Sequence, residues 1–390
     1  MFVTQGSNVL SLSGKVVSVP EPGDRIKSLD GIRAIAVLMV LISHAVNQPD
    51  INLGWLSGTL GESSIRLLGR FGVFLFFVLS GYLITTLLLR EKQKTGVIDL
   101  KRFWIRRALR IFPIFYAYIL AIALLIAFAK LLVNPLAIVF AGTYTLNYAF
   151  LFTSAPLGDD YPIIGHFWTL AVEEQFYLLF PILISYLSRE TAFTAISILV
   201  LVTPFITVAT YLLLPSSRQF TPIMGHNVFG VSIALGCLGV MAKQCDRLVG
   251  FRGYLATPLA ASAGFFYGII IYPWLAGIFG GYAMALGGEF LLGLSSLAII
   301  SYAVECPVHS NVSRILNNRS VMWLGMLSYS IYVWHQLPMH FKIPHVDPLV
   351  SNLIAGFVSI GLAALSYYYL EQPFLNLRNR FRAREHLVTG

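Results

Sequence analysis

The chain has 390 residues, 57% of them hydrophobic and only 12% charged, with a formal net charge of +9 and a mean hydropathy of +0.74. An ordinary soluble domain carries about 25% charged residues, so this composition excludes a soluble globular protein. Apolar runs recur from residue 31 to residue 371, which also excludes a single anchor on a soluble body, and the positive charge gathers in a few loops, where it speaks to orientation in a bilayer and not to nucleic acid.

The first 24 residues, ending SVPEPGD, lack a basic segment followed by an unbroken apolar core. They read as a loose N-terminal tail on the cytoplasmic side, not as a signal peptide. Runs of about 20 apolar residues suffice to cross a bilayer, and they predict spans at 31–47, 69–89, 111–130, 166–188, 193–214, 226–242, 255–272, 282–304, 322–341 and 349–371. The fold class is therefore all-α, a polytopic bundle of about ten transmembrane helices in one domain, residues 25–375, followed by a basic cytoplasmic tail, 376–390. No internal repeat, low-complexity tract or second domain is visible. Cys237, Cys245 and Cys306 lie in or beside apolar segments without metal-ligand spacing; they read as packing residues, and no metal site is expected.

A further apolar stretch, residues 131–152, is interrupted by Asn134, Pro135, Gly142 and Asn147. The loop REKQKTGVIDLKRFWIRRALR carries eight basic residues against two acidic ones, which places it in the cytoplasm. The regions around Lys243, Arg247 and Arg252, around Arg314 and Arg319, and the tail LRNRFRAR are basic as well. TSAPLGDDYPIIG and YPWLAGIFGG contain no Lys or Arg and belong outside. Passing from Arg110 inside to Asp159 outside takes an odd number of crossings, so 131–152 reads as re-entrant or interfacial. Both termini then face the cytoplasm.

The first span, LDGIRAIAVLMVLISHA, carries Asp30 and Arg33 at one end and His44 near the other. Eleven residues bring Arg33 and His44 to within ~20° of the same helix face, separated by roughly 16 Å along the axis. Ionisable groups in hydrocarbon are costly and usually face the bundle interior. On this helix alone, a snorkelling arginine with a histidine bonded to a neighbour explains the pattern equally well. Other spans add weight to a site. GHFWTLAVEEQFYLLFP places Glu173 on the order of 10 Å from its outer end, a depth comparable to His44, where a carboxylate could fix the imidazole tautomer; Glu174 is the neighbouring alternative. YSIYVWHQ places His335 in the outer part of a later span, and Glu289 in GGEFLLG can reach a similar depth. Arg106, Arg107 and Arg110 lie at a membrane entry, with Arg107 and Arg110 three apart on one face. Arginine forks suit phosphate oxygens, although positive-inside bias alone would also supply this charge.

Together, LDGIRAIAVLMVLISHA, FGVFLFFVLSGYLIT, RFWIRRALRIFP, FWTLAVEEQFYLLFP, YSIYVWHQ and YLEQPF resemble, in order, characteristic segments of the membrane-bound acyltransferase 3 family, over residues 25 to about 375. The resemblance implies a ten-helix enzyme of the bacterial inner membrane. Such enzymes move an acyl group, usually acetyl, from acyl-CoA to a hydroxyl of a cell-surface or exported carbohydrate, or of a macrolide. It implies His44 as the catalytic residue with Arg33 in support, Arg107 and Arg110 (with Arg106 beside them) at the CoA donor, and Glu173 as the glutamate of the VEEQFY segment. His335, Glu174, Asp30 and Glu289 are candidates for acceptor contact or support. No permanently bound cofactor is expected, since acyl-CoA is a substrate. Thr169 and Ala171 stand where many members carry Ser, and the extracytoplasmic esterase-like domain that some members append is not expected after the basic tail.

A CoA thioester is already activated, so the chemistry reduces to deprotonating an alcohol and stabilising an oxyanion. Histidine suits the first task, and arginine, tyrosine or tryptophan donors suit the second. Direct attack with His44 as general base is the favoured route; an acyl-histidine is the alternative. A proton-coupled transporter uses similar His–carboxylate groups and is the competing class, but no inverted repeat is found. A non-catalytic glycan-binding protein would leave His44 without a role.

Overall fold

The computed structural model describes residues 26–47, 51–54, 57–128, 130–149, 161–213, 230–242, 253–280 and 287–383. The N-terminal tail, the Asp159 loop, Lys243, Cys245, Arg247 and Arg252, and the last residues of the C-terminal tail lie outside them.

The chain runs through α1 (Lys27–Val46), α2 (Leu60–Thr95), α3 (Leu100–Ala127), α4 (Pro135–Gly142), α5 (Trp168–Tyr186), α6 (Arg189–Leu213), α7 (Val231–Met241), α8 (Pro258–Phe266), α9 (Tyr272–Phe279), α10 (Glu289–Glu305), α11 (Asn311–Leu316), α12 (Arg319–Trp334), α13 (Gln336–His340), α14 (Pro348–Ser366) and α15 (Gln372–Ala383). There is no strand among the described residues. In a bilayer, helices satisfy every backbone polar group internally, which is why an apolar chain of this kind adopts them throughout. Among the described residues, seven helical stretches are long and apolar enough to cross a membrane: Lys27–Val46, Leu60–Thr95, Leu100–Ala127, Pro162–Tyr186, Arg189–Ala209, Pro258–Phe279 and Pro348–Leu377. Helices also occupy the other three expected spans, but α7, α10 and α12 have 11, 17 and 16 described residues, so the polytopic bundle holds while a count of ten is not fixed by length.

Local chemistry sets the ends of these helices. Thr59 caps α2 by accepting from the Glu62 amide, and α2 stops at Gly96, whose φ of 77° is left-handed and natural only for glycine. Asp99 caps α3 by accepting from the Arg102 amide. The apolar stretch 131–152 forms the eight-residue α4, capped by Asn134 with Pro135 in its first turn, then a turn and a 3₁₀ segment, Leu146–Tyr148. At 1.5 Å per residue α4 is only about 12 Å long, too short to cross. Residues 150–152 lie outside the described set.

α1 is the centre of the bundle, packed by α2, α10, α11, α12 and α14. Small residues allow this closeness, as is usual between membrane helices. A Cβ on Gly72 of α2 would stand 2.5 Å from the Ala36 carbonyl of α1, and one on Gly325 of α12 would collide with the Asp30 carbonyl. The periphery is the opposite in character. Leu120, Leu124, Leu178, Leu179, Phe205 and Phe357 are large, apolar and exposed, the surface that a lipid solvent wets.

Candidate active site

Two polar groups lie along α1, one at each end. At the start, the Arg33 guanidinium donates to Asp30 Oδ1 over 3.0 Å, one turn back on the same helix. Arg107 and Arg110 of α3 are close enough to Arg33 to act on it electrostatically, and both act on Glu173 of α5 together with Arg33. The Arg107 guanidinium stacks on the Tyr177 ring, 3.6 Å from its centroid, an arrangement that holds a cation in a poorly hydrated site. Tyr177 is itself fixed: its hydroxyl bonds Ser80 of α2, and its carbonyl accepts from Trp104 Nε1 at 3.2 Å. Buried atoms remain without a hydrogen-bond partner here, Arg107 Nε and Glu174 Oε1. Orphaned groups of this kind are rare in folded chains, and they suit a site awaiting a polar ligand.

Arg106 is placed differently. It pairs with Glu91 of α2 at 3.2 Å, on the neighbouring face of α3.

At the other end of α1, His44 meets α12 and α13. Pro338 is the reason these are two helices. A proline ring crowds the carbonyl four residues earlier and lacks an amide proton, which favours a kink or a break; here the carbonyl belongs to Trp334, where α12 ends. The break turns the consecutive side chains of His335 and Gln336 into the bundle, where they are 1% and 6% exposed. Gln336 Nε2 lies 2.7 Å from His44 Nδ1. The His335 ring packs against His44 with centroids 4.9 Å apart, and His166 lies on its far side at 5.0 Å. His335 Nδ1 is 2.7 Å from the Tyr332 carbonyl, which can only accept, so the proton sits on Nδ1. Nε2 is then a bare lone pair, and it is buried without a partner. Tyr332 donates to the His166 carbonyl at 2.9 Å and shares a hydrogen bond with Thr169, so the threonine at this position supplies the hydroxyl that a serine would. The end of α1 is anchored by Asn352 of α14, which donates to the Ala45 carbonyl over 2.7 Å and accepts from Lys342 at 2.8 Å.

The expected residues thus divide. Arg33, Asp30, Arg107, Arg110 and Glu173 gather at one end of α1, with Glu174 next to Glu173; His44 and His335 gather at the other. Glu173 was expected at the depth of His44 as its partner, but it sits with the guanidinia, whose charges offset its burial, and a neutral amide takes the place beside the imidazole. Glu289 is fully buried in a separate group, 3.9 Å from Arg70 Nε, and Arg70 donates to the Tyr272 hydroxyl at 2.9 Å. Gln336, His166, Tyr332 and Tyr177 were not anticipated. The sequence signal for Gln336 was a polar pair, His–Gln, ahead of a proline in an apolar run. No group of three or more His, Cys, Asp or Glu suited to a metal ion occurs among the described residues.

A buried imidazole with a polar neighbour at one end of α1 and a cluster of arginines at the other are the polar features of this membrane-embedded bundle. The chain belongs to the acyltransferase 3 family, whose Acyltransferase domain matches residues 26–370. It is 26% identical over 381 residues to the peptidoglycan O-acetyltransferase OatA of Listeria monocytogenes, covering 93% of this chain and 58% of that protein. It is 28% identical to the putative peptidoglycan O-acetyltransferase YrhL of Bacillus subtilis, covering 89% and 54%. The O-acetyltransferase OatA of Staphylococcus aureus is 27% identical, covering 88% and 56%. The chain spans little more than half the length of these relatives. No solved structure matches it. The family match does not favour the transporter reading.

Proposed function

We propose that this chain is an integral-membrane O-acyltransferase that moves an acyl group, acetyl above all, from acyl-CoA to a hydroxyl of an envelope carbohydrate. The observation that carries this reading is the division of labour along α1: an arginine cluster at one end and a histidine in a neutral pocket at the other, roughly 16 Å apart. Arg107, Arg110 and Arg33 would hold the CoA phosphates with charge-assisted hydrogen bonds, while the thin pantetheine arm follows α1 toward His44.

In the proposed reaction His44 removes the proton from the acceptor hydroxyl as its oxygen attacks the thioester carbonyl. The tetrahedral intermediate collapses with loss of the CoA sulfur, and the imidazolium returns the proton to that sulfur. No net proton is released. The names of the relatives from Listeria and Bacillus support a peptidoglycan-like amino sugar as acceptor; a macrolide is the other acceptor that the family resemblance allows.

The membrane is proposed to be the bacterial inner membrane, crossed ten times with both termini in the cytoplasm, because the Lys- and Arg-rich segments then lie on one side. That side also supplies acyl-CoA to the arginine cluster. Membranes containing the full chain, given radiolabelled acetyl-CoA and a GlcNAc trisaccharide as acceptor probe, should form labelled, base-labile ester with release of CoA thiol. Ester formation and thiol release no greater than in membranes lacking the chain would refute the reading. Orientation is tested separately: single cysteines near Asp159 and Arg380 should be labelled by impermeant reagents from opposite sides.

A further inference from the structure

The buried amide beside His44 has no role in the reaction as described so far. We propose that Gln336 is a positioning residue that holds His44 in the tautomer with the proton on Nδ1, leaving Nε2 bare to accept the proton of the attacking hydroxyl. The inference rests on the reading of His44 as general base.

The argument starts from what a glutamine can offer. Its terminal amide presents an acceptor oxygen on one side and two donor protons on the other, and a half turn about the last bond exchanges them without moving anything else. The structure has Nε2 at 2.7 Å from His44 Nδ1, and the half turn brings Oε1 to that same position, so either face can meet the nitrogen. If the NH₂ group faces Nδ1, the imidazole proton is driven to Nε2, and neither ring nitrogen has a lone pair for the acceptor. If Oε1 faces Nδ1, the proton is held there and Nε2 is the base.

The course of the reaction separates these arrangements further. Once His44 has taken the acceptor's proton, it is an imidazolium with a donor on both nitrogens. Only Oε1 can face it at that moment; an NH₂ group would oppose two protons in a poorly hydrated pocket. The Oε1 arrangement is therefore favoured in the transition state, where an interaction accelerates the step.

The neighbouring residue solves the same problem with a fixed acceptor. His335 Nδ1 meets the Tyr332 carbonyl at 2.7 Å, and its Nε2 is left bare. For His44 no backbone carbonyl among the described residues takes that place; the Gln336 amide stands there instead, from the residue next to His335 at the same helix break. Around the pair the backbone is tied down by Asn352 on the Ala45 carbonyl and by the Ser359 hydroxyl, 3.4 Å from the His335 carbonyl.

A merely structural glutamine, one that only ties α13 to α1, would make different demands on a variant. The titratable groups facing His44 are His335 and, behind it, His166, and neither is altered by a change at position 336. The test uses the full chain in detergent, acetyl-CoA as donor, a GlcNAc trisaccharide as acceptor probe, and CoA thiol release between pH 5.5 and 9. Gln336→Leu removes the acceptor and should lower kcat on the order of 10²-fold while the KM for acetyl-CoA stays within about twofold of wild type. Gln336→Glu keeps an acceptor at Nδ1 and adds a charge that stabilises the imidazolium. It should therefore restore turnover to within about tenfold of wild type and move the acid limb of the pH–rate profile to higher pH. Turnover of Gln336→Leu within threefold of wild type would overturn the proposal. So would an unshifted acid limb in Gln336→Glu, and that variant decides the matter if Gln336→Leu fails to accumulate. His44→Ala, run alongside, reports on the underlying reading: if it stays active the general base is elsewhere, whereas an inactive His44→Ala beside a fully active Gln336→Leu removes only the role given to Gln336.

Discussion

The two ends of α1 are built on opposite electrostatic plans. At the Arg33 end charges are brought together: three arginines, an aspartate and two glutamates share a small volume, and one guanidinium lies flat on the Tyr177 ring. At the His44 end the groups against the imidazole are an amide and the His335 ring, with His166 and the Tyr332 hydroxyl behind them; the cations of that end, Arg66 and Lys342, are turned to the Val46 carbonyl and to Asn352. A cluster of fixed cations suits a ligand that arrives charged. A neutral pocket suits a group that must change its protonation during a reaction, since a nearby fixed cation would oppose a new positive charge. The comparison supports the proposed division, with binding at one end and chemistry at the other.

The sharpest way to break that assignment is His44→Ala. Loss of a general base should lower turnover by about 10²–10⁴-fold, with the KM for acetyl-CoA little changed, in the thiol-release assay. Near-wild-type turnover would move the chemistry away from this end of α1. Next in size is the complementary change at the charged end. Arg107→Gln or Arg110→Gln should raise the KM for acetyl-CoA about tenfold or more, the loss of hydrogen bonds to a charged group worth about 1.5–3 kcal/mol, while kcat falls less. A pure kcat defect would merge the two roles that the comparison separates.

A third change tests the support that both ends share. Gly325→Ala pushes a methyl group into the Asp30 carbonyl and should cost about 1–3 kcal/mol by overpacking, seen as a lowered midpoint of thermal unfolding in detergent. An unchanged midpoint would mean that α1 and α12 are not packed as tightly as described. The smallest expected effect is that of Arg106→Gln. Because Arg106 pairs with Glu91 on another face, and a partly exposed pair is worth about 0–1 kcal/mol, the KM for acetyl-CoA should change less than about fivefold. An effect as large as that of Arg107→Gln would extend the charged end across the whole face of α3.

How far the site was legible in the sequence follows from the range of the forces involved. Arg33 and His44 could be placed on one helix, and Arg107 and Arg110 on one face, because helical periodicity is local. Hydropathy likewise located α1, α2, α3 and α14, whose apolar runs are long. What failed was the assignment of partners between helices. Counting residues along α5 put Glu173 at the depth of His44, but depth does not say which neighbour a side chain meets. The guanidinia of Arg33, Arg107 and Arg110 captured it. Gln336 was passed over because a lone amide in an apolar run carries no charge to mark it; its meaning appears only when the break before Pro338 turns it toward a histidine near the other end of the chain. The separate Arg70–Glu289 pair was hidden for the same reason, since its members lie on different helices.

The contact between Gln336 and His44 joins residues 292 positions apart, and the Asn352 bond to Ala45 joins residues 307 apart. Chains are made at about 5–20 residues per second, so the first helix waits roughly 15–60 s for the helices that complete its surroundings. During that interval α1 lies in the membrane or its insertion machinery with its imidazole still short of the partner that Gln336 supplies, and with the face open where Gly325 will later dock. Only Asp30 and Arg33, one turn apart, can satisfy each other from the start. The pair nearest the N-terminus therefore acts first as a companion to its own helix, carrying it through assembly, before Arg33 becomes part of a site that the last third of the chain closes.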